Sequence, residues 1–204
     1  MPEPRSYLSS SIVNGKIYVI GGRDLRNTPP TVFEYDPVMD VWTKKSDMPT
    51  PRMWLSTSAV NGRIYAIGGT TKENGQFIAT SAVEEYDPVA DKWTRKANMP
   101  ITKAQLSTRE VNGRIYVIGD NSDVYEYEPL ADKWTRKADA PTARWFFTMS
   151  VVNERIYVIG GVLAGDFPNP ISTTEEYNPG TGQSINLKGK LPTTWGEVRT
   201  ASSR

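Results

Sequence analysis

The sequence contains neither cysteine nor histidine. Without cysteine there is no disulfide, no thiolate nucleophile and no thiolate metal site. Without histidine, imidazole-bound zinc and Ser-His nucleophilic catalysis are excluded too, so carboxylates and arginines are left to carry any acid–base work. Charge of one sign is also missing. Lys plus Arg number 24 against 23 for Asp plus Glu, a formal net charge of +1, so the overall charge points to neither nucleic acid nor membrane as a partner. The longest apolar stretches, such as IYVIGGVLAG from Ile156, reach only half of the ~20 residues that a membrane-spanning helix needs. The opening MPEPRSYLSS lacks the basic region and apolar run of a signal peptide. A soluble chain is expected, with its compartment left open. A length of 204 residues suits one domain more readily than two.

What is present is repetition. VNGKIYVIGG begins at Val13, VNGRIYAIGG at Val60, VNGRIYVIGD at Val111 and VNERIYVIGG at Val152. A period of about 40 to 50 residues places the chain among repeat architectures. Each copy opens with a cation, Arg5, Arg52, Lys103 or Arg144, followed by Leu or Phe and small hydroxyl residues; this is read as strand A. Asn-Gly comes next in three copies, at Asn14, Asn61 and Asn112, the pair that tolerates positive φ in a two-residue hairpin turn. Strand B, IYVIGG and its variants, is β-branched and aromatic without polar alternation, as expected of a strand covered on both faces. Strand C is VFEYDP, VEEYDP, VYEYEP or TEEYNP, each stopped by a proline that cannot donate to the ladder. Strand D carries Trp42, Trp93 and Trp134, and a Met-Pro or Ala-Pro link leads to the next strand A.

Four short antiparallel strands make a twisted blade with two apolar faces, and such blades bury those faces against each other around an axis. The paired glycines after IYVI, the Tyr and Trp at fixed spacing and the Met-Pro-x-x-Arg link resemble the kelch repeat of β-propellers, over Arg5 to about Pro192. The expected fold is an all-β propeller of four-stranded antiparallel kelch blades, four per chain. Residues 1–204 form a single array with blades at about 5–49, 52–100, 103–141 and 144–192, and 193–204 serve as an extra strand A. Copy four has Ser184 at the tryptophan position, and Trp195 stands where the tail would carry its cation. The resemblance implies five to seven blades in a closed ring. Four blades with a spare strand therefore predict a homodimer completing a propeller, in competition with a self-closed monomer.

Repetition also frames the candidate residues. Arg5, Arg52, Lys103 and Arg144 form a ring of cations that could grip an anion, while Glu34, Glu85, Glu126 and Glu176 recur as regularly and would pair with them structurally. Arg109 and Glu110 break the strand A pattern. Tyr7, Trp54, Gln105 and Phe146, with Trp145 beside the last, divide between packing and partner contact. The loops from strand B to strand C are long in copies one, two and four but shrink to DNSD in copy three. Asp120, where other copies have a second glycine, is read as a left-handed residue closing a tight turn, which leaves a notch at blade three unless the deletion is neutral.

In the kelch family these loops line a face on which partners dock. The resemblance therefore implies a partner site at Arg23, Arg26, Trp54, Lys72, Asp120 and Trp145, with no catalytic residue, metal or cofactor assigned. The copper site of galactose-oxidase-like members of the fold cannot be built without histidine. The leading reading is a non-enzymatic protein- or peptide-binding or self-assembling scaffold. The alternative is a carbohydrate-active enzyme like the bacterial sialic-acid mutarotases, whose kelch propellers need only proton transfer at a sugar.

Overall fold

A computed structural model describes residues 1–25 and 27–181 and the backbone of 183–186. Strands β1 (Ser9–Val13), β2 (Lys16–Ile20), β3 (Val32–Asp36) and β4 (Val41–Lys45) form the first antiparallel sheet, in that order. The second blade has β5 (Ser56–Val60) and β6 (Arg63–Ile67), then a two-stranded hairpin, β7 (Thr70–Glu73) and β8 (Gln76–Ala79), built into its B-to-C loop. It ends with β9 (Val83–Asp87) and β10 (Lys92–Arg95). Strands β11 (Ser107–Val111), β12 (Arg114–Ile118), β13 (Val124–Glu128) and β14 (Lys133–Arg136) make the third blade. In the fourth, β15 (Arg144–Trp145) precedes β16 (Thr148–Val152) and β17 (Arg155–Ile159); β18 (Val162–Leu163) pairs back onto β15, and β19 (Thr174–Asn178) and β20 (Gln183–Asn186) complete the sheet. No helix occurs among the described residues. The expected tail strand, 193–204 with Trp195, lies outside them.

The hairpin turn between the first two strands of each blade takes the backbone that its sequence predicts. Asn14 and Gly15, Asn61 and Gly62, and Asn112 and Gly113 all have positive φ at both central positions, the twist that joins two strands in register. Asn153 and Glu154 are forced into the same shape, at φ 50° and 61°. The register then sends successive strand B side chains to opposite faces. Ile64 and Ala66 turn toward blade one, and Tyr65 and Ile67 toward blade three, all buried.

Three inter-blade cores result. Val13, Tyr18, Ile20 and Val32 pack on Leu55, Ile64, Ala66 and Tyr86. Val60, Tyr65, Ile67 and Val83 pack on Leu106, Ile115, Val117 and Tyr127, and Val111, Tyr116, Ile118 and Val124 on Met149, Ile156, Val158 and Tyr177. Trp93 and Trp134 close the outer edges of the first two cores, each donating its indole N–H to a carbonyl of the preceding blade, Ser46 at 3.0 Å and Ala97 at 2.9 Å. Trp42 stacks on Tyr35 of its own sheet, with ring centroids 4.8 Å apart.

The innermost strands are joined by hydroxyls. Ser9 and Ser11 of blade one meet the Thr57 hydroxyl at 2.9 and 2.8 Å, and Ser56 and Ser58 of blade two meet Thr108 at the same distances. Four blades thus succeed one another as a propeller, while among the described residues the faces that would form a fourth interface stay open. Val152 and Ile159 on blade four are 54% and 40% exposed, and Ile12 on blade one is 66% exposed; at the other three boundaries the counterparts of Val152 and Ile159 are core.

The fourth hairpin offers a test. At Gly15, Gly62 and Gly113 a Cβ would meet nothing within 4 Å, so the cost of Glu154 at the equivalent place is conformational. Glu154→Gly should raise the stability by about 0.5–1 kcal/mol, the left-handed penalty less the extra entropy of glycine in the unfolded chain. Urea titration measures it, and a fall in stability would contradict the turn geometry.

Candidate functional site

The repeated cation is the pivot from which the loop face is built. Arg52 is fully buried and donates to the carbonyls of Gly68 (2.6 Å), Ala82 (2.9 Å) and Ala66 (3.2 Å) and to the Glu84 carboxylate at 2.8 Å. Burial pulls its pKa down against the raising effect of Glu84, yet a guanidinium held by these acceptors stays charged. Arg144 repeats the arrangement with Gly160, Thr173 and Glu175. Arg5 reaches the Gly21 and Thr31 carbonyls, and Phe33 occupies the acid position; the guanidinium lies 5.1 Å from the Phe33 ring centroid, a cation–π contact in place of the strand C carboxylate, and its ion pair is made with Glu3 instead.

Blade three solves the same problem differently, and this accounts for Asp120. Tyr125 fills the position of Glu84 and Glu175, so the strand C acid is absent. Lys103 instead pairs with Asp120 at 2.5 Å and Asp123 at 3.3 Å, both from the shortened loop. Asp120 is not left-handed; the positive φ in this turn falls on Ser122, at 66°. The expected left-handed aspartate is thus corrected: Asp120 holds a counter-ion position, and the glycine it replaces was needed elsewhere for close approach. Gly22 and Gly69 donate their N–H groups to the Arg52 and Lys103 carbonyls of the next blade at 2.9 and 2.7 Å. Among the described residues no such bond joins Asp120 to Arg144.

The expected pairing of the cations with Glu34, Glu85, Glu126 and Glu176 is also corrected. Those carboxylates accept from the strand B tyrosines directly opposite, Tyr18, Tyr65, Tyr116 and Tyr157, at 2.5, 2.9, 2.5 and 3.2 Å. Lys16 and Arg155 at the start of strand B, and Lys96 and Lys137 just after strand D, complete them. Burial alone would raise Glu126, but the Tyr116 hydroxyl, Lys137 and Arg114 outweigh it and hold the carboxyl below its usual value. In blade four Tyr177 has lost the turn aspartate that Tyr86 and Tyr127 find in Asp91 and Asp132. Its buried hydroxyl has no partner among the described residues, and its pKa is pushed up to about 12, mainly by burial and secondarily by Glu126.

On the loop face, the link into each blade bridges to that blade's B-to-C loop at Ser6 and Arg23, Met53 and Thr70, and Trp145 and Val162. Blade three, whose loop is too short, shows no such bridge among the described residues. A cavity of about 560 Å³ opens there, lined by Lys103, Gln105, Asp120, Trp145, Phe146 and Phe167 among others. It shares Gln105 and Phe146 with a second hollow of about 250 Å³ at the channel mouth, bounded by Tyr7, Trp54 and Leu106. Tyr7, Trp54, Gln105 and Phe146 form a collar around that mouth, one per blade, all at φ between 53° and 59°. Backbone bonds from Trp54 to Tyr7 (3.0 Å) and from Gln105 to Trp54 (3.1 Å) hold the collar, a strained conformation kept by its surroundings.

Of the residues expected from sequence, Asp120 and Trp145 therefore meet in one cavity and Trp54 stands in the adjoining collar. Arg23 and Lys72 do not line that cavity; both lie against Phe77, at 5.3 and 6.0 Å from its ring centroid. Arg26 falls outside the described residues. Phe77, Phe167 and Gln105 were not singled out as site residues; an aromatic in a long polar loop was the available signal for the first two.

The Kelch motif matches residues 4–49, 55–100 and 144–188, together well over half of the chain. The chain belongs to the kelch-repeat family. The stretch passed over is blade three, where the glycine, the strand C acid and the loop length all depart from the other copies. Among curated proteins, this kelch chain is 34% identical over 94 residues to an F-box/kelch-repeat protein of Arabidopsis thaliana, covering 46% of the chain and 20% of the relative. It is 29% identical over 128 residues to human Kelch-like protein 25, covering 60% and 22%, and 29% identical over 126 residues to Beta-scruin of Limulus polyphemus, covering 60% and 14%. The chain thus spans about a fifth or less of these relatives. The solved structure of YjhT superposes with a TM-score of 0.79 at 16% identity, over 96% of this chain and 68% of that one, a likeness of fold.

Restoring the kelch consensus at Asp120 should do harm. Asp120→Gly leaves Lys103 with Asp123 alone and is expected to cost about 1 kcal/mol, the lower part of the range for a charged hydrogen bond because Asp120 is partly exposed. Chemical denaturation measures the change, and a stabilised variant would refute the counter-ion role.

Proposed function

We propose that this kelch propeller is a non-enzymatic scaffold that binds a protein or peptide segment on its B-to-C loop face. The observation that carries this reading is the cavity between blades three and four, continuous with an aromatic collar and formed where one loop is trimmed. Exposed Tyr7, Phe146 and Phe167 beside buried apolar walls have the composition of interface anchors. Function placed on loops over a rigid scaffold is the common arrangement, and kelch-repeat relatives whose names denote larger assemblies of domains support it. Of the two charges that break the strand A pattern, Glu110 accepts the Gly113 N–H at 2.7 Å and so serves its own hairpin, which favours binding over the carbohydrate-active alternative.

The open faces extend the proposal to self-association. Blade four presents the surface that blades one to three each bury against a successor, and blade one presents the surface that blades two to four bury against a predecessor. A second copy supplies both complements, and two arcs joined about a twofold axis form one ring.

Two measurements test these readings. Peptides selected from a random displayed library on the intact chain should lose at least tenfold in affinity on Trp145→Ala, and retained affinity would move the site elsewhere. Light scattering should give twice the chain mass, and Val152→Asp, which places a charge in the open face, should return the monomer. A monomer at high concentration would defeat the assembly.

A further inference from the structure

The boundary between blades three and four differs from the others inside the channel as well. At the first two boundaries a Ser-x-Ser pair on one innermost strand grips a threonine on the next, as Ser56 and Ser58 grip Thr108. At the third, Met149 stands in the threonine position, fully buried and without a hydroxyl to offer. Arg109 stands where Ser11 and Ser58 stand in blades one and two. With no hydroxyl to meet, its side chain lines an open cavity of about 490 Å³ bordered by residues from the innermost strands of all four blades.

That guanidinium is half-buried, yet it makes no ion pair among the described residues. Its one hydrogen bond goes from Nη1 to the carbonyl of Thr108, its own neighbour, at 2.7 Å. Five donors and a full charge are thus served by one backbone oxygen. The other cations at blade entrances are each met by a carboxylate or an aromatic ring. No carboxylate of the cavity wall pairs with it: Ser10, Ser11, Thr57, Ser58 and Thr108 are neutral hydroxyls, and Glu110, the one acid of the lining, is exposed and accepts the Gly113 N–H. Burial without a partner disfavours the charged form of Arg109, so an anion entering here would relieve an existing cost.

We propose that this cavity is a binding site for a small organic carboxylate held by Arg109. The planar fork of a guanidinium matches a carboxylate through two parallel N–H donations. The surrounding hydroxyls suit a polar solute, while the walls lack the aromatic anchors that a peptide side chain would use. The volume falls in the range of small-molecule sites, about 300–1,000 Å³. The site does not depend on the loop-face reading, since the two cavities share no residue.

The test monitors the backbone amide resonances of Thr57, Ser58 and Thr108, which line the cavity, by NMR at low ionic strength, with sodium lactate as probe. A saturable shift is expected with lactate, and Arg109→Ser, the residue that blades one and two carry at this position, should weaken binding at least tenfold while leaving the rest of the spectrum folded. Arg109→Lys, which keeps the charge without the fork, should give an intermediate loss. Neutral lactamide should not bind. Equal binding of lactamide, equal binding of lactate by the Arg109→Ser variant, or a shift that never saturates would overturn the proposal, and sulfate binding as tightly as lactate would overturn the carboxylate assignment. Peptide binding on the loop face should be unchanged in Arg109→Ser, which separates failure of this site from failure of the other.

Discussion

Removing a guanidinium from water is costly unless its charge is paired and most of its donors find acceptors, and the blade architecture is arranged around meeting that demand, with the Nε of Arg5, Arg52 and Arg144 left without an acceptor among the described residues. Arg52 collects carbonyls from the end of β6 and the entry to β9 together with the Glu84 carboxylate. One side chain thereby fixes where the incoming link, strand B and strand C stand relative to one another. The Arg52 carbonyl in turn receives the Gly22 N–H of the preceding blade, so the residue that organises its own blade also spaces that blade from its neighbour. Gly21 and Gly22 are required here because a Cβ on either would fall 2.5 Å or 2.7 Å from a backbone oxygen. The apolar faces supply most of the favourable free energy, but the buried cation sets the geometry in which they meet.

The departures in blade three stem from a change at this pivot. Once Tyr125 replaces the strand C acid, the cation must draw its counter-charge from the loop, and Asp120 and Asp123 can reach Lys103 only if that loop is short. An aspartate in place of glycine cannot make the close approach to blade four. The backbone bonds that continue from blade to blade therefore stop, the collar loses a link, and a cavity opens beside Trp145. The same boundary replaces a hydroxyl grip by Met149 and frees Arg109 toward the channel. The loop-face cavity thus arises at this junction, and the channel cavity that all four innermost strands border takes its cation from the same blade. Similar substitutions scattered over separate blades would have left each gap bridged by its neighbours.

Blade four carries the cost of losing its outer contacts. Gly182 and Ser184 replace the turn aspartate and the tryptophan of the other copies, and the Tyr177 hydroxyl is buried without a partner among the described residues. The opposite face of the same blade exposes Val152 and Ile159. An apolar blade face exposed to water is a surface that a neighbour would cover.

The amino-acid sequence by itself determined the blade: the Asn-Gly turns, the apolar run of strand B and the proline after strand C are local signals, acting through backbone conformation and period-two alternation within a few residues. It also determined the order of the blades, because each repeat has two apolar faces and short links. The partners of the charges were decided only by the tertiary structure. Regular spacing pointed to Glu85 and Glu126 as partners of the cations, but a one-residue step in a strand reverses the face on which a side chain emerges, and Glu85 emerges toward Tyr65 while Glu84 emerges toward Arg52. Trp54 and Trp145 could likewise be read as packing or contact until the left-handed collar and the missing bridge at blade three placed them at the rim of the channel. Asp120 was visible in the sequence as the odd residue of its repeat; that it answers Lys103 depended on bringing a link and a loop together across the end of a sheet, a contact between segments that no local pattern encodes.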